Sequence, residues 1–117
     1  MDIKFGEYVR TNDGVICRSV GISEDKKSLI CETCEKCGNG FYHFDEYEQK
    51  NIITKHSPKL AEILEYGDYV NNCPLQKAGE MLGFYDGGIF YGLSRIKIES
   101  VVTHEKFDSA KYFFGGN

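Results

Sequence analysis

Phe5-Gly6-Glu7-Tyr8-Val9 recurs as Tyr66-Gly67-Asp68-Tyr69-Val70, position by position, 61 residues further on. The pattern reads as entry into a curled sheet. Glycine permits a sharp turn at positive φ. The acid is expected to stay in solvent, and tyrosine and valine fall on opposite faces of the strand that follows. The ends of the two halves also match. Ile52-Ile53-Thr54-Lys55-His56 resembles Val101-Val102-Thr103-His104, and each leads into a short helical stretch. The spacing is shorter at the ends than at the starts, so the first half carries extra residues. The 117 residues therefore read as two tandem modules, 1–64 and 65–117. Modules of this size are marginal alone, so they are expected to pack together or to pair with another chain.

Working outward from the motif, Glu7 to Thr11 alternates as a strand. Asn12-Asp13-Gly14 is a tight-turn signal, and Val15 to Val20 returns. Ser28 to Cys31, Phe41 to Phe44 and Ile52 to His56 are further strands, rich in β-branched and aromatic residues. Ser57-Pro58 suits the start of a helix over Lys59 to Leu64, with serine as cap and proline in the first turn. In the second half, Leu75 to Glu80 and Met81 to Tyr85 are weaker strands. Asp86-Gly87-Gly88 marks a hairpin returning through Ile89 to Leu93. Ile96 to Thr103 alternates, Thr103 caps a short helix over 104–110, and Tyr112-Phe113-Phe114 is a last strand. The fold expected is mainly β: two tandem SH3-like barrels or curled antiparallel sheets, each followed by a short helix.

Gly6-Glu7-Tyr8-Val9-Arg10-Thr11, Ile53-Thr54-Lys55-His56-Ser57-Pro58, Ile63-Leu64-Glu65-Tyr66-Gly67-Asp68-Tyr69-Val70-Asn71 and Val101-Val102-Thr103-His104-Glu105-Lys106-Phe107 follow in this order. As a set they resemble a group of small uncharacterised Firmicutes proteins, many encoded in phages or prophages. The resemblance covers most of the chain. It implies an intracellular bacterial or phage setting and a small β-rich fold. It carries over no catalytic residue, because none is established for the group. The loop from Cys31 to Gly40 departs from the group's pattern.

That loop, 31–40, holds three of the five cysteines: Cys31, Cys34 and Cys37. Cys34-x-x-Cys37-Gly38 has the spacing of a zinc knuckle, in which two thiolates grip one ion and glycine allows the turn beyond. Four ligands make a structural site. Cys31 and His43 are the nearest candidates for the second pair, and Cys17 or Cys73 the alternatives. The second Cys-x-x-Cys at the usual distance of about 15–20 residues is missing. An iron–sulfur run, a redox pair and plain reduced thiols are the competing readings. Structural zinc is the cofactor considered, with Cys31, Cys34, Cys37 and His43 as its ligands.

Other constellations point away from catalysis. His56 and His104 fall at matching places in the two halves, just ahead of a short helix, which suits capping or packing. Asp45, Glu46 and Glu48 read as a solvated face on a strand or turn. Gly87-Gly88 lacks the lysine and serine of a phosphate-binding loop. The aromatic content is richer: eight tyrosines and eight phenylalanines exceed what one small core holds. Phe84, Tyr85, Phe90 and Tyr91 form the expected interaction surface, because such residues are favoured at interface centres.

Charge and composition bound the rest. Fourteen basic against 18 acidic residues give a net charge of −4. Duplex binding through the phosphate backbone usually needs a basic excess. Aromatics at 14% exclude a disordered chain. No apolar run approaches the ~18 residues that would span a bilayer, and the first residues have no signal-peptide core. A cytoplasmic location follows as the default, with no membrane partner. The function expected is a non-catalytic binding or assembly module, acting on a protein partner or by self-association. The alternatives are a nucleic-acid-binding barrel, with Arg10, Arg18, Lys26, Lys27 and Lys36 as its basic residues, and a small cysteine-dependent redox protein.

Overall fold

A computed structural model describes residues 2–33, 40–107 and 111–114. The chain divides into two compact units, Met1–Ile63 and Leu64–Asn117. Both are mainly β.

The first unit holds β1 (Tyr8–Thr11), β2 (Ile16–Ile22), β3 (Leu29–Thr33), β4 (Phe41–Phe44), the short helix α1 (Glu46–Asn51) and β5 (Ile53–Ser57), followed by a 3-10 turn over Leu60–Ile63. The strands form one antiparallel sheet in the order β4-β3-β2-β1-β5. Its registers set Val9 opposite both Cys17 and His56, and Cys31 opposite Tyr42. Alternation then directs Val9, Cys17, Leu29, Cys31, Phe44 and Ile53 into one core, joined by Ile3. Arg10 is fully buried, and its Nη1 donates to the Ile63 carbonyl at 3.1 Å.

The second unit holds β6 (Tyr69–Val70), β7 (Cys73–Pro74), β8 (Gln76–Ala78), β9 (Met81–Asp86), β10 (Ile89–Gly92), β11 (Ser100–Val102) and β12 (Tyr112–Phe113), with 3-10 turns over Leu93–Arg95 and His104–Lys106. They make two antiparallel sheets, β10-β9-β8 and β12-β11-β6-β7. Among the described residues no sheet closes on itself, so the expected barrels are open sheets.

Three local readings are corrected. Glu7 and Asp68 are not in solvent: Glu7 is 8% exposed and Asp68 fully buried. In each case the acid turns back on its own turn. Glu7 Oε2 accepts from Lys4 N at 2.8 Å, and Asp68 Oδ2 accepts from Glu65 N at 2.7 Å. The backbones match as well. Glu7 N donates to Lys4 O and Asp68 N to Glu65 O, with Gly6 at φ 87° and Gly67 at φ 100°. This is the hydrogen bond and the third-position glycine of a type II turn.

The carboxylates Asp45, Glu46 and Glu48 lie on neither strand nor turn but start α1. The Asp45 side chain accepts from Glu48 N while Glu48 Oε1 accepts from Asp45 N, a reciprocal capping box. The stretches expected as helices after each closing strand are single 3-10 turns, and the 104–110 reading runs into residues 108–110, outside those described.

Candidate functional site

Phe84, Tyr85, Phe90 and Tyr91, expected to form one interaction surface, lie on the three-stranded sheet, whose register turns Phe84 and Tyr91 to one face and Tyr85 and Phe90 to the other. Gly87 and Gly88, both at positive φ (59° and 83°), close β9 onto β10 through a two-residue turn. Two left-handed residues in a row match the right-handed twist of the strands they join. The ladder sets Tyr91 opposite Phe84 and Phe90 opposite Tyr85. The Tyr85 and Phe90 rings meet edge to face, with centroids 5.0 Å apart. Where β8 runs out, the Gln76 side chain replaces it: Oε1 accepts from Tyr85 N at 2.9 Å. Gly83 sits at the centre, where a Cβ would lie 2.0 Å from the Tyr91 carbonyl oxygen.

Phe84, Tyr85 and Tyr91 line one wall of a cleft of ≈ 530 Å³ within the second unit, and Val70, Pro74 and Ile96 line the other. Asn71, Cys73 and Gln76 complete it, so among the described residues no charged side chain lines the space. Phe90, the cross-strand partner of Tyr85, is not part of the lining. The same hairpin exposes Met81 (60%), Tyr85 (50%), Ile89 (58%) and Tyr91 (40%). The register divides them between the two faces of the hairpin, Met81 and Tyr85 on one and Ile89 and Tyr91 on the other.

Two of the four expected zinc ligands, Cys31 and His43, lie among the described residues. Cys34 and Cys37 lie outside the described residues. Cys31 faces the core beside Cys17, while His43 stands opposite Ile30, one residue out of phase, on the other face of the sheet. A hydrogen bond with Cys17 lowers the Cys31 thiol pKa from its ordinary value of 9.0, against burial, which raises it. Cys73 is exposed, at the cleft.

The two histidines placed at matching positions both meet carboxylates. His56 Nδ1 lies 2.6 Å from Glu7 Oε1. His104 Nε2 lies 2.8 Å from Glu65 Oε1 and 3.4 Å from Glu105 Oε1, and its backbone N–H donates to Asp68 Oδ1 at 3.1 Å. Glu65, His104 and Glu105 each place one donor atom within 4.8 Å of the others, the one such set among the described residues. Sequence reading missed it because its members come together only when the turn before β6 meets the turn after β11.

Of the basic residues considered for nucleic acid, Arg10 is buried and Lys36 lies outside the described residues. Arg18 packs over the Tyr8 ring, 5.8 Å from its centroid. Lys26 and Lys27 do share a groove of ≈ 600 Å³ in the first unit with Lys50 and Tyr47, the latter 71% exposed. Asp2 and Glu46 line the same groove.

These features define a mainly β protein of two units with an apolar, aromatic-walled cleft on the second. No family profile, curated protein or solved structure matches the chain. Among the described residues no helix is long and apolar enough to cross a membrane.

Proposed function

We propose that this protein is a non-catalytic binding module that receives an apolar segment of a partner protein in the cleft between the β9–β10 hairpin and the strands β6 and β7. The observation that carries the reading is the lining of that cleft, uncharged among the described residues and holding Phe84 with the exposed Tyr85 and Tyr91. Burying tyrosine and phenylalanine against a partner is a common source of interface affinity. The hairpin suits the task because Gly87-Gly88, Gln76 and Gly83 fix its shape before any partner arrives, which reduces the ordering cost of binding.

On this reading the two units are versions of one SH3-like, curled-sheet module. Each begins with the same acid-capped turn, and in each the strand after the turn pairs antiparallel with a late strand, β1 with β5 and β6 with β11. Each late strand leads into a 3-10 turn.

The test is selection from a random peptide display library, followed by NMR titration. Enriched peptides are expected to be apolar and uncharged and to shift the resonances of Phe84, Tyr85, Tyr91 and Ile96. Tyr91→Lys should then weaken binding about tenfold or more. Peptides that shift only residues elsewhere would overturn the reading.

A second reading rests on the first-unit groove, where Lys26, Lys27 and Lys50 surround an exposed tyrosine on which a base can stack. Fluorescence anisotropy with a labelled single-stranded oligonucleotide separates the two. Binding that falls with salt and is lost in Lys26→Glu with Lys50→Glu supports the groove.

A further inference from the structure

The sheet of the first unit ends at β4, and the hydrogen-bond phase of that strand can be followed from its first pair. Thr33 N donates to Gly40 O at 3.1 Å. In an antiparallel ladder, bonded and non-bonded pairs alternate. The register then makes Glu32–Phe41 non-bonded, Cys31–Tyr42 bonded and Ile30–His43 non-bonded. The N–H and C=O groups of Phe41 and His43 therefore point away from β3, along the outer edge.

Nothing among the described residues meets them there. β4 is the last strand of the order, and no backbone hydrogen bond outside the ladder involves Phe41 or His43. Phe41 is 60% exposed, Tyr42 39% exposed, and His43 is exposed as well. Edge strands are usually blunted by lysine, proline or a bulge. Phe41-Tyr42-His43-Phe44 has no lysine and no proline, and its register with β3 is uninterrupted.

We propose that β4 is a self-association edge, on which a second copy of this chain adds its own β4 antiparallel about a two-fold axis through Tyr42. The occupant follows from symmetry. The outward groups sit at 41 and 43, one residue either side of 42, so the strand is its own complement when turned about that point. Phe41 pairs with His43 of the second copy and His43 with its Phe41, making four N–H···O=C bonds. Tyr42 meets Tyr42 of the second copy as the non-bonded pair on the axis. Every side chain brought opposite another is aromatic, and no two like charges face each other across the seam. Two five-stranded sheets become one continuous sheet. A seam three residues long gives a weak, concentration-dependent dimer. It lies in the first unit and does not depend on the cleft of the second.

The test combines sedimentation velocity with residue-resolved amide exchange on the full chain. A monomer–dimer equilibrium is expected, in which rising concentration protects the amides of Phe41 and His43. Tyr42, already bonded to β3, should show no such change. Phe41→Lys, which plants a charge on the edge, should remain monomeric with an unchanged far-ultraviolet spectrum, and Phe41→Pro, which deletes one outward N–H, should do the same. Tyr91→Lys should leave the dimer intact, separating this seam from the cleft. A chain that stays monomeric at every concentration reached overturns the proposal. So does a dimer in which the Phe41 and His43 amides exchange freely, or one that persists in Phe41→Lys.

Discussion

Glu7 and Asp68 show how one acid after a turn glycine holds two distant pieces of chain. Each accepts the N–H three residues before it, and each reaches the end of its unit, Glu7 through the His56 ring and Asp68 through the His104 N–H. Asp68 is fully buried, so Asp68→Ala leaves two amides without their acceptor. The expected loss is about 2–3 kcal/mol in urea denaturation, with Asp68→Asn recovering part of it. The hydrogen bond from His56, and then that from Lys4 N, holds the Glu7 carboxyl below its ordinary pKa of 4.5. A depressed folded pKa stabilises the fold fully above 4.5 and loses that stabilisation as pH falls through the lower folded value. Glu7→Gln should accordingly flatten the acid limb of a stability–pH curve below about pH 4.5. An unaltered acid limb would show that the pair contributes nothing. The cysteines divide on the same residue-level grounds. Cys73 is exposed, whereas Cys17 and Cys31 are fully buried. A thiol reagent should label Cys73 in the native protein and reach Cys17 and Cys31 only on unfolding, as peptide mapping would show.

At the scale of the element, Gly83 and Asn71 decide more than any propensity. A Cβ at Gly83 would lie 2.0 Å from the Tyr91 oxygen and 2.9 Å from the Gly92 Cα, both backbone. Gly83→Ala must therefore push β10 off β9, at a cost of about 3 kcal/mol. Gly87→Ala, where nothing crowds the new methyl and only the left-handed φ opposes it, should cost about 1 kcal/mol. Equal melting temperatures for the two variants would refute the close-packing argument. Asn71 explains where sequence alternation misled. Ile96 to Thr103 reads as one strand, yet β11 begins only at Ser100. The Asn71 side chain accepts from Glu99 N at 2.7 Å and Ser100 N at 3.1 Å, and donates to Lys97 O at 2.9 Å. It takes over the amides a neighbouring strand would have used. α1 escaped notice for a different reason. None of its six residues is buried, so it has no apolar stripe, and only the Asp45-x-x-Glu48 box announced it. By contrast, the β9–β10 turn was legible because Gly87-Gly88 satisfies a purely local demand for two positive φ angles.

At the scale of the molecule, the sequence carried the aromatic half of the candidate site and not its other half. Phe84, Tyr85 and Tyr91 cluster within eight residues, so their density is visible in one dimension. Val70, Pro74 and Ile96 join them only through strand order, which no local pattern encodes. The β4 edge is of the second kind as well, because its open side depends on which strand ends the sheet. Net charge supplies the last constraint on it. Each chain carries −4, so two copies repel at long range while the seam itself is aromatic and offers no ion pair. Salt screens the repulsion over a Debye length of about 10 Å at 0.1 M and leaves hydrogen bonds and apolar contacts in place. The β4 dimer should therefore tighten severalfold when sedimentation is repeated at about 0.3 M rather than about 0.02 M salt. A dimer that weakens instead would be held by opposite charges, and no opposite charges face each other across paired β4 strands. That result would move the interface to another surface.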